Sequence, residues 1–369
     1  MIFQQQRFTQ IILLISLTLS LPSKAHNGKL LTGTKVKDID FSTVNATQTG
    51  TCKAVSAFFN EGPKNCDKNS RYNKGIIESI CAIKPGGGYD ASLSAIPTSI
   101  HTLKIGQHYM FDASFRESSN ASTTSYCGGA SFTAFMMMLE NLGDENPLND
   151  ISIDQAKNFD LFNYIKQSNG NYRYGNVSQV SYLTSKSPIR TSNFEKRDFI
   201  GLFGSFNNDY GGVVDANKAY NFGEHITKKD EACPGDLLKF DRKDGHGHSV
   251  VYLGQIGKKF CYWSSNGNGV PEEHEGFSIR CESSSAVNAW NFVRVTDKVQ
   301  NLSRIKPYTG EKADWTTLGS GLMSEKEAAK YRAERRENDV EAELRLGIGV
   351  SRTIQKPDHE VEKGIRSRR

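Results

Sequence analysis

Gly245-His246-Gly247-His248-Ser249-Val250-Val251-Tyr252-Leu253-Gly254 reads as a β-strand that begins at a histidine. A run of Val, Tyr and Leu bounded by glycines has the composition of a strand with little exposed surface. On one side of it, Asp244-Gly245 is turn chemistry, and Pro234-Gly235-Asp236 introduces an earlier strand over Leu237 to Phe240. On the other side, further strands are expected over Lys259 to Ser264 and Trp290 to Val295. Short strands joined by tight turns predict an antiparallel sheet.

Far upstream, Ser125-Tyr126-Cys127-Gly128-Gly129-Ala130-Ser131-Phe132 opens a helix. Thr123, Thr124 and Ser125 offer N-caps, and Gly143 offers a C-cap. Ala130, Phe132, Ala134, Phe135, Met136, Met138, Leu139 and Leu142 cover most of its surface, as in a central, buried helix. Ser152 and Asp154 introduce a second helical stretch through Tyr164. A buried helix packed on an antiparallel sheet is an α+β layout.

Cys127 stands where a thiol becomes reactive. A helix N-terminus favours the thiolate, which is the nucleophile, as does a neighbouring imidazolium. The backbone N–H groups of Cys127 and Gly128, with Gly129 following, are candidate donors to an oxyanion. His248 starts its strand after a glycine-rich turn, which suits a general base reaching the helix start. His246 would share its strand face. A third group must orient the imidazole. The strand over Lys259 to Ser264 runs on into Ser265 and Asn266; Asn266 is the candidate, with Ser264 and Ser265 as alternatives.

Residues from about 106 to 298 resemble the papain-like cysteine hydrolases of bacteria. Pro234-Gly235-Asp236-Leu237-Leu238-Lys239-Phe240, followed by Gly247-His248-Ser249-Val250-Val251-Tyr252-Leu253-Gly254, looks like the paired strands of CHAP and NlpC-type peptidoglycan hydrolases. The order Cys, His, third polar residue also fits that group. Cys127-Gly128-Gly129-Ala130-Ser131 is more similar to the helix start of double-glycine leader peptidases. It departs from the NlpC pattern, in which Asp precedes the cysteine, where this chain has Tyr126. The resemblance implies a papain-like core, with Cys127 on the helix as nucleophile and His248 on the sheet as base. Asn266 takes the orienting role more loosely. It also implies peptidoglycan stem peptides as substrate and no cofactor. The same site would serve transglutaminase or deamidase-like acyl transfer on a protein. A further alternative is a non-catalytic, disulfide-stabilised binding protein with Cys127 structural.

The rest of the chain frames this core. Residues 1–25 read as a secretory signal peptide: Arg7, an apolar run from Ile11 to Leu21, then Ser23-Lys24-Ala25 as a cleavage site. The expected mature protein is secreted or periplasmic, with no membrane span. In an oxidising compartment, six of the seven cysteines (Cys52, Cys66, Cys81, Cys127, Cys233, Cys261, Cys281) can pair, and Cys127 is the natural odd one out. Cys261 with Cys281, and one bridge among Cys52, Cys66 and Cys81, are the local expectations; Cys233 then needs a distant partner. Residues 26–105 look like a separate or accessory segment, with a short helix over 74–83. Residues 167–230 are polar and read as an insertion in the 106–298 domain. Residues 299–369 are a charged tail, helical after Ser324-Glu325-Lys326-Glu327 and then polar to Arg369. The formal charge of +5 is a weak positive bias, without the basic and aromatic clustering of a nucleic-acid surface. His246 and His248 with Asp244 or His225 lack a closed metal-ligand spacing, so no metal is expected.

Overall fold

The structure is a computed structural model, which describes residues 28–68, 70–87, 102–111, 127–159, 165–166, 172–173, 199, 203, 212–244, 247–267, 275–308 and 321–323. The expected signal peptide, His246, the far tail and most of the 167–230 stretch lie outside these residues.

Two helices come first. α1, Gln48–Asn60, starts at Thr47, whose side chain accepts from the Gly50 N–H. It buries Ala54, Val55, Phe58 and Phe59. α2, Arg71–Ala82, starts at Ser70, whose hydroxyl accepts from the Asn73 N–H. Three strands follow: β1 (Gly86–Gly87), β2 (Thr102–Ile105) and β3 (His108–Phe111). α3, Cys127–Asn141, buries every residue from Cys127 to Leu139. Gly143, at φ +59°, makes the left-handed turn just beyond it. α4, Ile153–Ala156, opens on a capping box formed by Ser152 and Gln155.

Of the helix expected through Tyr164, the described part is α-helical only to Ala156 and continues as a 3-10 turn, Lys157–Phe159; residues 160–164 lie outside the described residues. Side chains explain the change. Gln155 donates to Ile305 O, and Asn158 donates to Gln155 O and Lys306 O, which ties this turn to a neighbouring segment. The remaining elements are β4 (Ile165–Lys166), β5 (Tyr172–Arg173), α5 (Val213–Tyr220), β6 (Gly223–Ile226), β7 (Leu237–Arg242), β8 (Gly247–Ile256), β9 (Lys259–Asn266), β10 (Gly276–Ser283), β11 (Val287–Val295) and β12 (Gly321–Met323).

Seven strands form one antiparallel sheet in the order β1-β10-β9-β8-β7-β11-β6. Its two faces read off the alternation of side chains. Leu237, Val251, Leu253, Cys261, Trp263, Phe277, Ile279 and Val293 share one core with the apolar residues of α1, α2, α3 and α5. Leu238, Phe240, Val250, Tyr252, Phe260, Tyr262 and Phe292 form a second core on the opposite face. On that face the rings of Phe260 (β9) and Trp290 (β11) touch at 4.7 Å across two intervening strands. The sheet must curl towards that side to bring them together. The helix-on-antiparallel-sheet layout expected from the sequence is thus the one observed.

The 26–105 segment is not set apart from this layout. α1 and α2 pack into the same core as α3, β1 pairs with β10, and a disulfide joins Cys66 to Cys233. The other bridges are Cys52–Cys81, between α1 and α2, and Cys261–Cys281, between register partners on β9 and β10. Cys127 is the one cysteine outside a disulfide.

The Pro-Gly-Asp turn has a structural job. Gly235 takes φ +93°, and a Cβ there would stand 2.7 Å from Asn73 O. Asp236 is fully buried, accepting from Asn73 Nδ2, the Cys233 N–H and both Nε and Nη2 of Arg294. One carboxylate therefore locks the start of β7 to α2 and β11.

Candidate active site

His248 and Asn266 meet because of a single extra residue. The β8–β9 hairpin pairs Ile256 with Lys259 and Gly254 with Cys261, but then Tyr252 with Tyr262 and Val251 with Trp263. Leu253 is the extra residue of a bulge. Without that slip, the hairpin register would run His248 against Gly267. With it, His248 faces Asn266, and His248 Nε2 lies 3.0 Å from Asn266 Oδ1.

The amide of Asn266 is oriented by its other contacts. Its Nδ2 donates to Ser278 Oγ at 2.9 Å, to Ser278 O at 3.1 Å and to Ser264 O at 3.3 Å. Two of these are carbonyl oxygens, which only accept, so the Nδ2 end must point there and Oδ1 must face the imidazole. His248 Nε2 is then the protonated nitrogen, and Nδ1 holds the lone pair. This is the tautomer assignment a general base needs. Ser264 instead donates to Ser249 O and Ser265 O.

The imidazole is buried, edge-on to the rings of Phe240 (5.7 Å) and Tyr262 (5.4 Å). Burial, and after it the positive charge of Arg242, push its pKa down from 6.5 to about 3. At neutral pH it is uncharged. Behind it lies a cluster that the sequence reading did not single out. Arg242 grips Glu282 with Nε at 2.9 Å and Nη2 at 2.5 Å, and the Tyr262 hydroxyl donates to the same carboxylate. Burial works to raise the Glu282 carboxyl, but the bonds from Arg242 and Tyr262 outweigh it and hold it below the usual range. Burial first, then the Glu282 charge, keeps the Tyr262 phenol protonated. The available signal was alternation: Arg242, Tyr262, Arg280 and Glu282 all fall on the same sheet face as His248.

Cys127 is the first residue of α3 and is itself buried. The first N–H groups of a helix lack intrahelical acceptors, so Cys127 and Gly128 present donors at this point. Met138 of α3 packs on Gly75, near where Asn73 bonds Asp236 at the start of β7. Cys127, about 16 Å earlier along the helix axis, lies away from that end. α3 packs against β8 and β9 on the sheet face opposite the Phe240–Tyr262 pair that holds His248. The structure therefore brings His248 and Asn266 together. Among the described residues, the hydrogen bond of the His248 ring goes to Asn266 and not to Cys127.

His225 sits on β6 opposite Val293, three strands away from His248. Among the described residues no three His, Cys, Asp or Glu side chains gather as a metal ion would require. Nor, among them, is any helix long and apolar enough to cross a membrane. Compared with protein-family models, curated proteins and solved structures, the chain matches none.

Proposed function

We propose that this chain is an exported, papain-like cysteine hydrolase that cleaves peptide or amide bonds, with peptidoglycan stem peptides as substrate. The observation that carries the proposal is the His248–Asn266 pair, whose amide orientation leaves the Nδ1 lone pair of a neutral imidazole available. Cys127 supports it as the one thiol among seven cysteines, at the start of a buried helix. In this reading Cys127 Sγ attacks the carbonyl while its proton passes to His248 Nδ1. The same proton then leaves on the departing amine, and water releases the acyl group from sulfur. The N–H groups of Cys127 and Gly128 hold the oxyanion. Asn266 is a positioning residue that touches only the imidazole. Because His248 is buried on the sheet face opposite α3, the reading requires a rearrangement on substrate binding that carries its ring from that face to the thiol. Three disulfides fit an oxidising compartment outside the cytoplasm.

The test is labelling of Cys127 by iodoacetamide, followed by peptide mass spectrometry. A base-assisted thiol labels faster in the wild type than in His248→Ala, with unfolded protein as the reference. Equal rates in both proteins would sink the assignment of His248 as base.

A second reading is favoured by one observation: His248 is buried on the sheet face away from α3. On that reading His248 and Asn266 are core packing, and the chain is a non-catalytic, disulfide-stabilised binding protein. Cys127 would then label no faster than it does in His248→Ala.

A further inference from the structure

The curled face of the sheet holds a charged group where a purely apolar core would have served. Arg242 from β7 sits with its guanidinium 4.9 Å from the Phe240 ring centre and is bound bidentate by Glu282 of β10. Glu282 also accepts from the Tyr262 hydroxyl and pairs with Arg280 at 3.3 Å. The Arg242 and Glu282 side chains are mostly covered, at 19% and 10% exposure. Tyr262 is completely buried, and its ring walls one side of the His248 imidazole, while Phe240 walls another. Asn266, anchored on Ser278, fixes the remaining degree of freedom, the rotation of the ring about its own axis. A buried ion pair is weak as a source of stability, because desolvation offsets most of its attraction. Its placement one ring away from the imidazole gives it another use.

We infer that Arg242, Glu282 and Tyr262 are positioning residues for His248, acting as a unit that pins the Tyr262 and Phe240 walls and keeps a positive charge beside the imidazole. The consequence is a base that rests uncharged. The groups facing it from every packed strand are Arg242 from β7, Tyr262 from β9, and Arg280 and Glu282 from β10. The two cations disfavour an imidazolium and Glu282 favours one. Arg242 acts more strongly than Glu282, so the balance is against the charged ring. The resting site would then hold a neutral imidazole instead of an imidazolium paired with a thiolate.

This inference rests on His248 as the base, but its test uses no substrate, so it and the hydrolase reading fail separately. The experiment is an NMR titration of the His248 ring nitrogens in the full chain, in wild type, Arg242→Met and Arg242→Lys. The expected wild-type ring is the Nε2–H tautomer and stays neutral through pH 5. Arg242→Met should raise the titration midpoint by about 1–2 pH units, and Arg242→Lys should restore part of the shift. An Arg242→Met protein that is less stable but titrates at the wild-type midpoint would show a merely structural role and overturn the inference. Should Arg242→Met fail to fold, Arg242→Gln takes its place, with the same rise expected and an unchanged midpoint overturning the inference; a wild-type ring already charged at pH 6 overturns it as well.

Discussion

Acidification should destabilise this protein through His248, by an amount that follows from its burial. The imidazole titrates near 6.5 when the chain is unfolded and at about 3 when folded. Between those values the unfolded chain binds the extra proton and the folded one does not. Stability from this group is therefore complete above pH 6.5 and is lost as pH falls towards 3. Each pH unit in that window is worth about 1.4 kcal/mol, so at pH 5 the loss is about 2 kcal/mol relative to neutrality. His248→Gln keeps an amide donor for Asn266 Oδ1 but cannot titrate. The assay is urea unfolding of both proteins at pH 7.5 and pH 5.0 with the disulfides intact. Carboxylate contributions are common to both and cancel in the comparison. The wild type should lose about 2 kcal/mol more on acidification than His248→Gln. Equal acid losses would refute the reasoning, since they would mean that the folded ring accepts its proton at an ordinary pH.

Three other perturbations are expected to act as follows. Asp236→Ala leaves Arg294 facing a buried gap and should cost about 3–5 kcal/mol by denaturant unfolding, beyond the effect of removing an exposed carboxylate. Removing the Cys66–Cys233 bridge by double serine substitution frees a span of 167 residues and should cost about 5 kcal/mol, against about 3.5 kcal/mol for Cys52–Cys81 with its span of 29. Asn266→Ala removes the acceptor that sets the His248 tautomer and should lower kcat/KM on any cleaved peptide by about 10²-fold or more, with KM little changed.

The central strands were legible because their composition is extreme. Four strand runs, over Leu237–Phe240, His248–Leu253, Lys259–Ser264 and Trp290–Val295, lie within observed strands, and the buried helix starts at Cys127 as read. β10 is not evident in the sequence although Phe277, Ile279 and Cys281 alternate with Ser278, Arg280 and Glu282; a polar or charged residue at every second position makes the strand look like loop. α1 was missed because Thr, Ser, Lys and Asn dilute its apolar stripe. Its burial comes from neighbours far away in sequence: Phe58, for example, packs close to Gly254. The nearness of Asn266 to His248 was legible from strand order, but the register was not, since it depends on the Leu253 bulge. Alternation puts Arg242, Tyr262 and Glu282 on one sheet face, but their contact was not legible from it. The cluster joins three strands, and only the pairing of β10 beside β9 brings Glu282 into reach. Nor did the sequence reveal which sheet face His248 occupies relative to α3. That follows from alternation only once the helices are known to pack on Val251, Leu253 and Trp263.

The most direct measurement of the central claim is digestion of purified peptidoglycan by the mature protein and by Cys127→Ala, with mass spectrometry of the released fragments. The proposed chemistry predicts cleaved stem peptides from the wild type and none from the variant. Equal release by both proteins, or no release from either while Cys127 remains an unreactive thiol, would contradict it.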